Sequence, residues 1–191
     1  GAANTGFKKK IGDWAKSVGL RGNYALLEGK PLPWGWSIAD KIVFSNVKKA
    51  LGLQDSTYRV TSAAPISLKT LEYFMSLDMP LFELYGMSES SGPHTLNLPG
   101  ATKMGTVGRT MPGAETWIAH PDAKGEGEIC MRGRHIFMGY MKNEEATQET
   151  IDADGWLHSG DVGRLDQGGY LKITGRIKEL IITAGGENIP P

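Results

Sequence analysis

A mixed α/β fold is predicted, with an α/β layer first and a β-rich subdomain after it. Three observations predict it. Apolar residues recur at helical spacing through the first half of the chain. A strand, a helix and a strand follow one another between residues 58 and 85. From residue 100 onward the chain turns to short apolar runs between glycines, and 16 of the 26 glycines lie there against 10 before.

Taken in order, Phe7, Ile11, Trp14 and Val18 fall on one face of a helix, with Lys8, Lys9, Lys10 and Lys16 on other faces. Gly29 to Gly35 breaks the pattern, because two prolines and two glycines forbid a regular element. A second helical stretch runs from Ile38 to Leu51, with Ile38, Ile42, Val43, Val47 and Leu51 in phase. Tyr58 to Ser62 reads as a strand. Ser67 to Leu77 reads as a helix with Pro65 ahead of it and Ser67 as its cap. Leu81 to Tyr85 is the next strand, so a right-handed parallel crossover is expected between the two. Thr116 to Ala119, Gly127 to Met131, Tyr170 to Thr174 and Leu180 to Thr183 read as later strands. A helix from Asn143 to Thr150 interrupts them, with Asn143 as cap and two acids in its first turn.

The chain has 191 residues, 40% of them hydrophobic, and equal numbers of Lys plus Arg and Asp plus Glu. That balance points to no nucleic-acid partner. A single cysteine, Cys130, has no internal partner for a disulfide, which fits a reducing compartment. No apolar run approaches the roughly 20 residues that span a bilayer. Gly1 at one end and Pro190–Pro191 at the other lead to the expectation that both ends are cuts through a longer protein.

Several chemistries fail on the residues. Gly29-Lys30 is followed by Pro31 where a phosphate-binding loop needs Ser or Thr. Gly105 and Gly108 do not complete GxGxxG. Four histidines without paired spacing and one cysteine do not make a zinc site. Gly86-Met87-Ser88-Glu89-Ser90 nearly matches a hydrolase nucleophile elbow, but Ser90 crowds the turn and no histidine follows Asp161.

Four segments in order remain: Ser62 to Ser67 (SAAPIS), Glu83 to Thr95 (ELYGMSESSGPHT), Gly155 to Gly163 (GWLHSGDVG) and Ile173 to Pro191 (ITGRIKELIITAGGENIPP). This series resembles the acyl-CoA synthetases of the adenylate-forming superfamily, and GMSESSGPHT and GGENIPP look most like the bubblegum-type long-chain fatty acid CoA ligases. The resemblance implies three parts. Residues 1–100 would belong to the α/β subdomain of a large AMP-binding domain, and 101–177 to its distorted barrel-like β subdomain. Residues 178–191 would be the hinge and start of a small C-terminal lid.

The same resemblance assigns roles. Glu83, Leu84, Tyr85, Gly86 and Met87 would line adenine and the α-phosphate, Ser88 would contact phosphate, and Glu89 would hold Mg²⁺, a hard cation suited to carboxylate oxygen. A polar turn capped through Ser88 or Ser90 is the plainer alternative. Asp161, expected in a tight turn between two strands, would accept the ribose hydroxyls, with Arg176 beside ribose and phosphates. The alternative is a surface ion pair between those two. Ala63 and Ala64 would leave room for the base, or simply allow close backbone packing. Lys178 would be the hinge and Gly185–Gly186 the lid loop, against an exposed strand lysine and an ordinary turn. Asp161, Arg176, Gly185 and Gly186 thus join the cofactor-binding set, and Ser88, Glu89, Arg176 and Lys178 the catalytic one.

The implied substrates are fatty acid, ATP with Mg²⁺, and coenzyme A. A ligase for an aryl or amino acid and a non-catalytic nucleotide- or lipid-binding remnant are the rivals. The family's phosphate loop would lie upstream and its catalytic lysine downstream, so this fragment alone is expected to turn over little. A cytoplasmic location is expected. The N-terminal basic helix either lies on an anionic membrane surface or packs on the protein's own core.

Overall fold

The computed structural model describes residues 6–177 in full, and the backbone of 181–182 and 188–189. Its contacts group into two compact units, divided within one strand between Phe82 and Glu83, with 98–104 returning to the first. Residues 83–97 thus group with the strands beyond residue 104, whereas the change of sequence texture falls near residue 100.

In the first unit, α1 (Phe7–Leu27) buries Ala15 and Val18. Next come α2 (Trp36–Ala39), a π-turn (Asp40–Phe44) and α3 (Ser45–Ala50). The expected apolar face of this second stretch is corrected here. Ile38, Ile42 and Leu51 are exposed, while Ala39 and Phe44 are fully buried with Val18. The π-turn causes this: its i to i+5 bond, from Ser45 N–H to Asp40 O, brings residues five apart onto one face. A periodicity of 3.6 cannot show such a shift.

The strand expected over 58–62 is reduced to β1 (Val60–Thr61). Helix α4 (Leu68–Ser76) forms as expected, and the Ser67 hydroxyl accepts from Thr70 N–H at 3.1 Å as its cap. Asn23 of α1 donates to Met75 O of α4 at 2.9 Å, and Tyr24 donates to Glu72 at 2.6 Å. Lys48 and Asp78 form an ion pair.

The second unit takes most of β2 (Phe82–Met87), then β3 (Gly92–Leu96) and β4 (Arg109–Thr110), paired antiparallel in that order. A four-stranded antiparallel meander follows: β5 (Ala114–Ala119), β6 (Gly127–Gly133), β7 (Leu157–Leu165) and β8 (Leu171–Arg176). Between β6 and β7, α5 (Glu144–Thr150) is capped by Asn143, whose side chain accepts from Ala146 N–H. The two sheets join where Leu171 exchanges backbone bonds with Val107 and Gly108. Tyr85, Ile129, Met131, Leu157 and Leu171 form the core between them. The backbone of β9 (Ile181–Ile182) pairs antiparallel with β10 (Asn188–Ile189).

Histidines far apart in sequence meet in this unit. His94, fully buried, stacks on His135, with Nδ1 and Nε2 2.9 Å apart, and its other nitrogen lies 2.8 Å from the Thr116 hydroxyl. Burial first, and His135 second, push the His94 imidazole down to about 4. The fold therefore favours the neutral ring. Its contribution is present above the unfolded value near 6.5 and is lost as pH falls from there through about 4. A single proton gives a slope of up to about 1.4 kcal/mol per pH unit. Thermal unfolding measured from about pH 7 to pH 5 should show a shallower loss in His94→Gln than in the parent. Equal slopes would assign the acid sensitivity elsewhere.

Candidate functional site

The site forms around Asp161, which corrects one expectation. Asp161 lies inside β7, not in a turn between strands. The pairing of β6 with β7 steps from Cys130–His158 to Glu128–Val162, so two steps on β6 face four on β7. Ser159, Gly160 and Asp161 form the resulting bulge, and Gly160 has φ of 71°, which a residue with a side chain adopts at a cost. The Ser159 hydroxyl accepts Asp161 N–H at 3.1 Å.

From the bulge the Asp161 carboxylate reaches two elements. Its Oδ2 accepts the Tyr85 hydroxyl of β2 at 2.7 Å, and its Oδ1 accepts Arg176 Nε–H at the end of β8 at 3.1 Å. Tyr85 is buried, and burial above all raises its phenol pKa, so it stays a neutral donor. The Asp161 side chain is 14% exposed and that of Arg176 58%, so the ion pair is sheltered on one side only. The Tyr85–Asp161–Arg176 chain is more than the surface pair weighed from sequence, because a buried hydroxyl from another sheet completes it.

Gly86 and Met87 continue β2 to a 3-10 turn, Ser88–Ser90. Gly86 must be glycine, since a Cβ there would lie 2.0 Å from Gly92 O. Ser90, not Ser88, locks the turn. Its buried hydroxyl accepts Met87 N–H at 3.0 Å and lies 2.7 Å from Gly92 O. Ser88 is exposed. Glu89 is held by two groups from the segment before α5: Tyr140 donates its hydroxyl to Oε1 at 2.7 Å, and Phe137 N–H donates to the Glu89 carbonyl at 2.8 Å. That hydrogen bond, before partial burial, raises the Tyr140 pKa.

Glu83, earlier on β2, is partly buried; desolvation raises its carboxyl pKa while a backbone bond from Gly105 opposes this. Leu84 pairs with Leu96 of β3. Ala63 and Ala64 are exposed residues of the first unit, between β1 and α4, and Ala63 takes φ of 74°, unusual for a residue with a Cβ. Lys178, Gly185 and Gly186 lie outside the described residues.

Of the two turn-capping serines weighed from sequence it is Ser90 that acts, while sequence reasoning missed Tyr140, Glu128 and His158. His158 Nδ1 lies 2.8 Å from Glu128 Oε2 and 3.5 Å from Cys130 Sγ, and its Nε2 lies 3.4 Å from Asp152. Glu128, Cys130 and His158 bring possible ligand atoms within 4.8 Å of one another. Burial foremost pushes the Cys130 thiol up to about 12, and the imidazole already bonds to carboxylate. The group is complete as a hydrogen-bonded cluster.

As for holding a divalent cation, Glu89 offers one carboxylate, with Oε1 oriented by Tyr140 and a second oxygen beside it. A single carboxylate supplemented by phosphate oxygens and water suits Mg²⁺, so the residue fits that role.

Comparison with known proteins places the chain among relatives. The chain is 55% identical over its whole length to a long-chain-fatty-acid–CoA ligase ACSBG2 of Gallus gallus, covering 25% of that protein. It is 46% identical to the Homo sapiens ACSBG2, again over the whole chain and over 29% of that protein. The chain thus spans about a quarter of the length of these curated relatives. Among solved structures, the O-succinylbenzoate coenzyme A synthetase of Bacillus subtilis in complex with ATP and magnesium matches 74% of this chain and 32% of its own. The TM-score there is 0.63 at 29% identity. A Mycobacterium tuberculosis fatty acyl CoA synthetase matches 70% of this chain and 28% of its own, with TM-score 0.57 at 30% identity. The family model for AMP-binding enzymes matches residues 27–141, more than half of the chain, which therefore belongs to the AMP-binding enzyme family.

Proposed function

We propose that this chain is the nucleotide-facing part of a long-chain fatty acid CoA ligase. The observation that supports this best is the Asp161 carboxylate, presented by a strand bulge and oriented by Tyr85 and Arg176. The identity to ACSBG2 ligases supports the fatty acid as substrate.

In the proposed reaction a fatty carboxylate oxygen attacks the α-phosphorus of ATP, and the bond to pyrophosphate breaks. The thiolate of coenzyme A then attacks the acyl carbon, and AMP leaves. Asp161 would accept hydrogen bonds from the ribose hydroxyls, which its unused lone pairs permit. Arg176, on the exposed side, would face the charge that builds on the phosphates. The backbone of 83–87 would border the base, and Ser88 would donate to phosphate. Glu89 would hold Mg²⁺, which supplies charge neutralisation at the phosphates. Lys178 would be the pivot of the lid carrying Gly185 and Gly186 between the two steps. Exposed Phe7 beside exposed Lys8, Lys9 and Lys10 supports peripheral membrane contact of a cytoplasmic enzyme as a further part of this reading.

The test of the metal role is Glu89→Gln in the full-length protein. Glutamine keeps an acceptor for the Tyr140 hydroxyl but removes the charge that attracts the cation. Pyrophosphate exchange should fall about tenfold or more and recover in part at high Mg²⁺, with the melting temperature nearly unchanged. A lower melting temperature without any Mg²⁺ dependence would make Glu89 a structural partner of Tyr140.

A further inference from the structure

We propose that Glu128 is a positioning residue for the nucleotide: its carboxylate clamps the β7 bulge at two points and so fixes the direction in which Asp161 points. The proposal rests on the reading of Asp161 as the ribose acceptor.

A bulge takes backbone groups out of the strand ladder and leaves them without partners. Here Glu128, on the neighbouring strand β6, replaces the lost ladder. Its Oε1 accepts Gly160 N–H at 3.0 Å, and its Oε2 lies 2.8 Å from His158 Nδ1. The carboxylate therefore holds the side chain of His158, the last paired residue before the bulge, and the backbone of Gly160, just before Asp161. When His158 is protonated both partners are donors, and a carboxylate gives each of them its own acceptor on one rigid planar group. Three groups face the His158 ring: Glu128 and Cys130 from β6, and Asp152 from the segment after α5. The Glu128 hydrogen bond foremost raises the His158 pKa above its ordinary value, so the protonated ring, with a donor at each nitrogen, suits the two carboxylates. Glu128 itself touches no part of the Tyr85–Asp161–Arg176 chain and acts through the backbone.

The substitution Glu128→Gln separates this role from simple packing. An amide has one acceptor and one donor end. With His158 neutral, the amide oxygen can take Gly160 N–H while the NH₂ donates to Nδ1, and the clamp survives. With His158 protonated, both partners are donors and one goes unmatched. Steady-state pyrophosphate exchange in the full-length protein, at varied ATP, reads the effect. Glu128→Ala should raise the KM for ATP about tenfold, with kcat changed much less. Glu128→Gln should stay near the parent at about pH 8 and lose several-fold in KM for ATP by about pH 6, where the parent does not. An unchanged KM for ATP in folded Glu128→Ala, or a Glu128→Gln profile parallel to the parent, overturns the proposal. If Glu128→Ala does not fold, the Glu128→Gln profile alone decides. Asp161→Ala run alongside separates the two readings. If it raises the KM for ATP and the Glu128 variants do not, only the clamp fails. If Asp161→Ala leaves the KM unchanged, the ribose reading and the clamp fall together.

Discussion

Asp161→Ala is expected to raise the KM for ATP of the full-length protein about a hundredfold, because the two charge-assisted hydrogen bonds to ribose proposed for it, each worth about 1.5–3 kcal/mol, would be lost together. The structure adds a stability cost. The buried Tyr85 hydroxyl loses its acceptor, at about 1–3 kcal/mol if nothing replaces it. Asp161→Asn separates the two effects, since the amide oxygen still accepts from Tyr85 while the charge facing Arg176 is gone. Its melting temperature should lie closer to the parent than that of the alanine variant, while its KM for ATP remains raised. Pyrophosphate exchange at varied ATP, with thermal unfolding on the same preparations, checks both. Parent-like exchange kinetics in a folded alanine variant would remove Asp161 from the site.

Gly86→Ala should give a large loss of stability. The new methyl would meet Gly92 O at 2.0 Å and both Gly92 C and Pro93 Cα at 2.8 Å, all of them backbone. A side chain could swing away; the β3 backbone cannot without breaking its pairing with β2. The Ser90 bonds that join Met87 to Gly92 would go with it. The expected cost is about 3 kcal/mol or more. That corresponds to a fall in melting temperature of about 6–12 °C for a domain near this size. Gly12→Ala is the control, as that glycine lies in α1 with nothing near its Cβ position, and alanine favours a helix. Equal melting temperatures for the two variants would contradict the crowding at Gly86.

Local signals in the sequence read true. The caps Ser67 and Asn143 sit where expected, because a cap acts on backbone three residues away and needs no distant partner. The motif around Glu83 to Ser90 points to the right strand and turn. Three kinds of feature stayed hidden. The π-turn changes helical phase with no residue type that announces it. Gly160 reads as a turn residue although it lies within β7, because a bulge and a turn ask for the same conformation. Finally, the partners that orient the site come from far along the chain: Tyr140 on Glu89 across 51 residues, and Tyr85 on Asp161 across 76. Side-chain pairing at such separations depends on topology, which no local window contains.

The bridge from Tyr85 through Asp161 to Arg176 has a thermodynamic consequence. A carboxylate offers about four lone-pair positions, and the two protein donors occupy two of them. Two remain, as many as a ribose has vicinal hydroxyls. The rotamer of Asp161 is meanwhile already restricted when the chain folds. An immobilised side chain otherwise costs about 0.5–1.5 kcal/mol at the moment of binding. In this site most of that entropy loss belongs to folding, so a ligand would meet an acceptor that is preorganised and still half vacant.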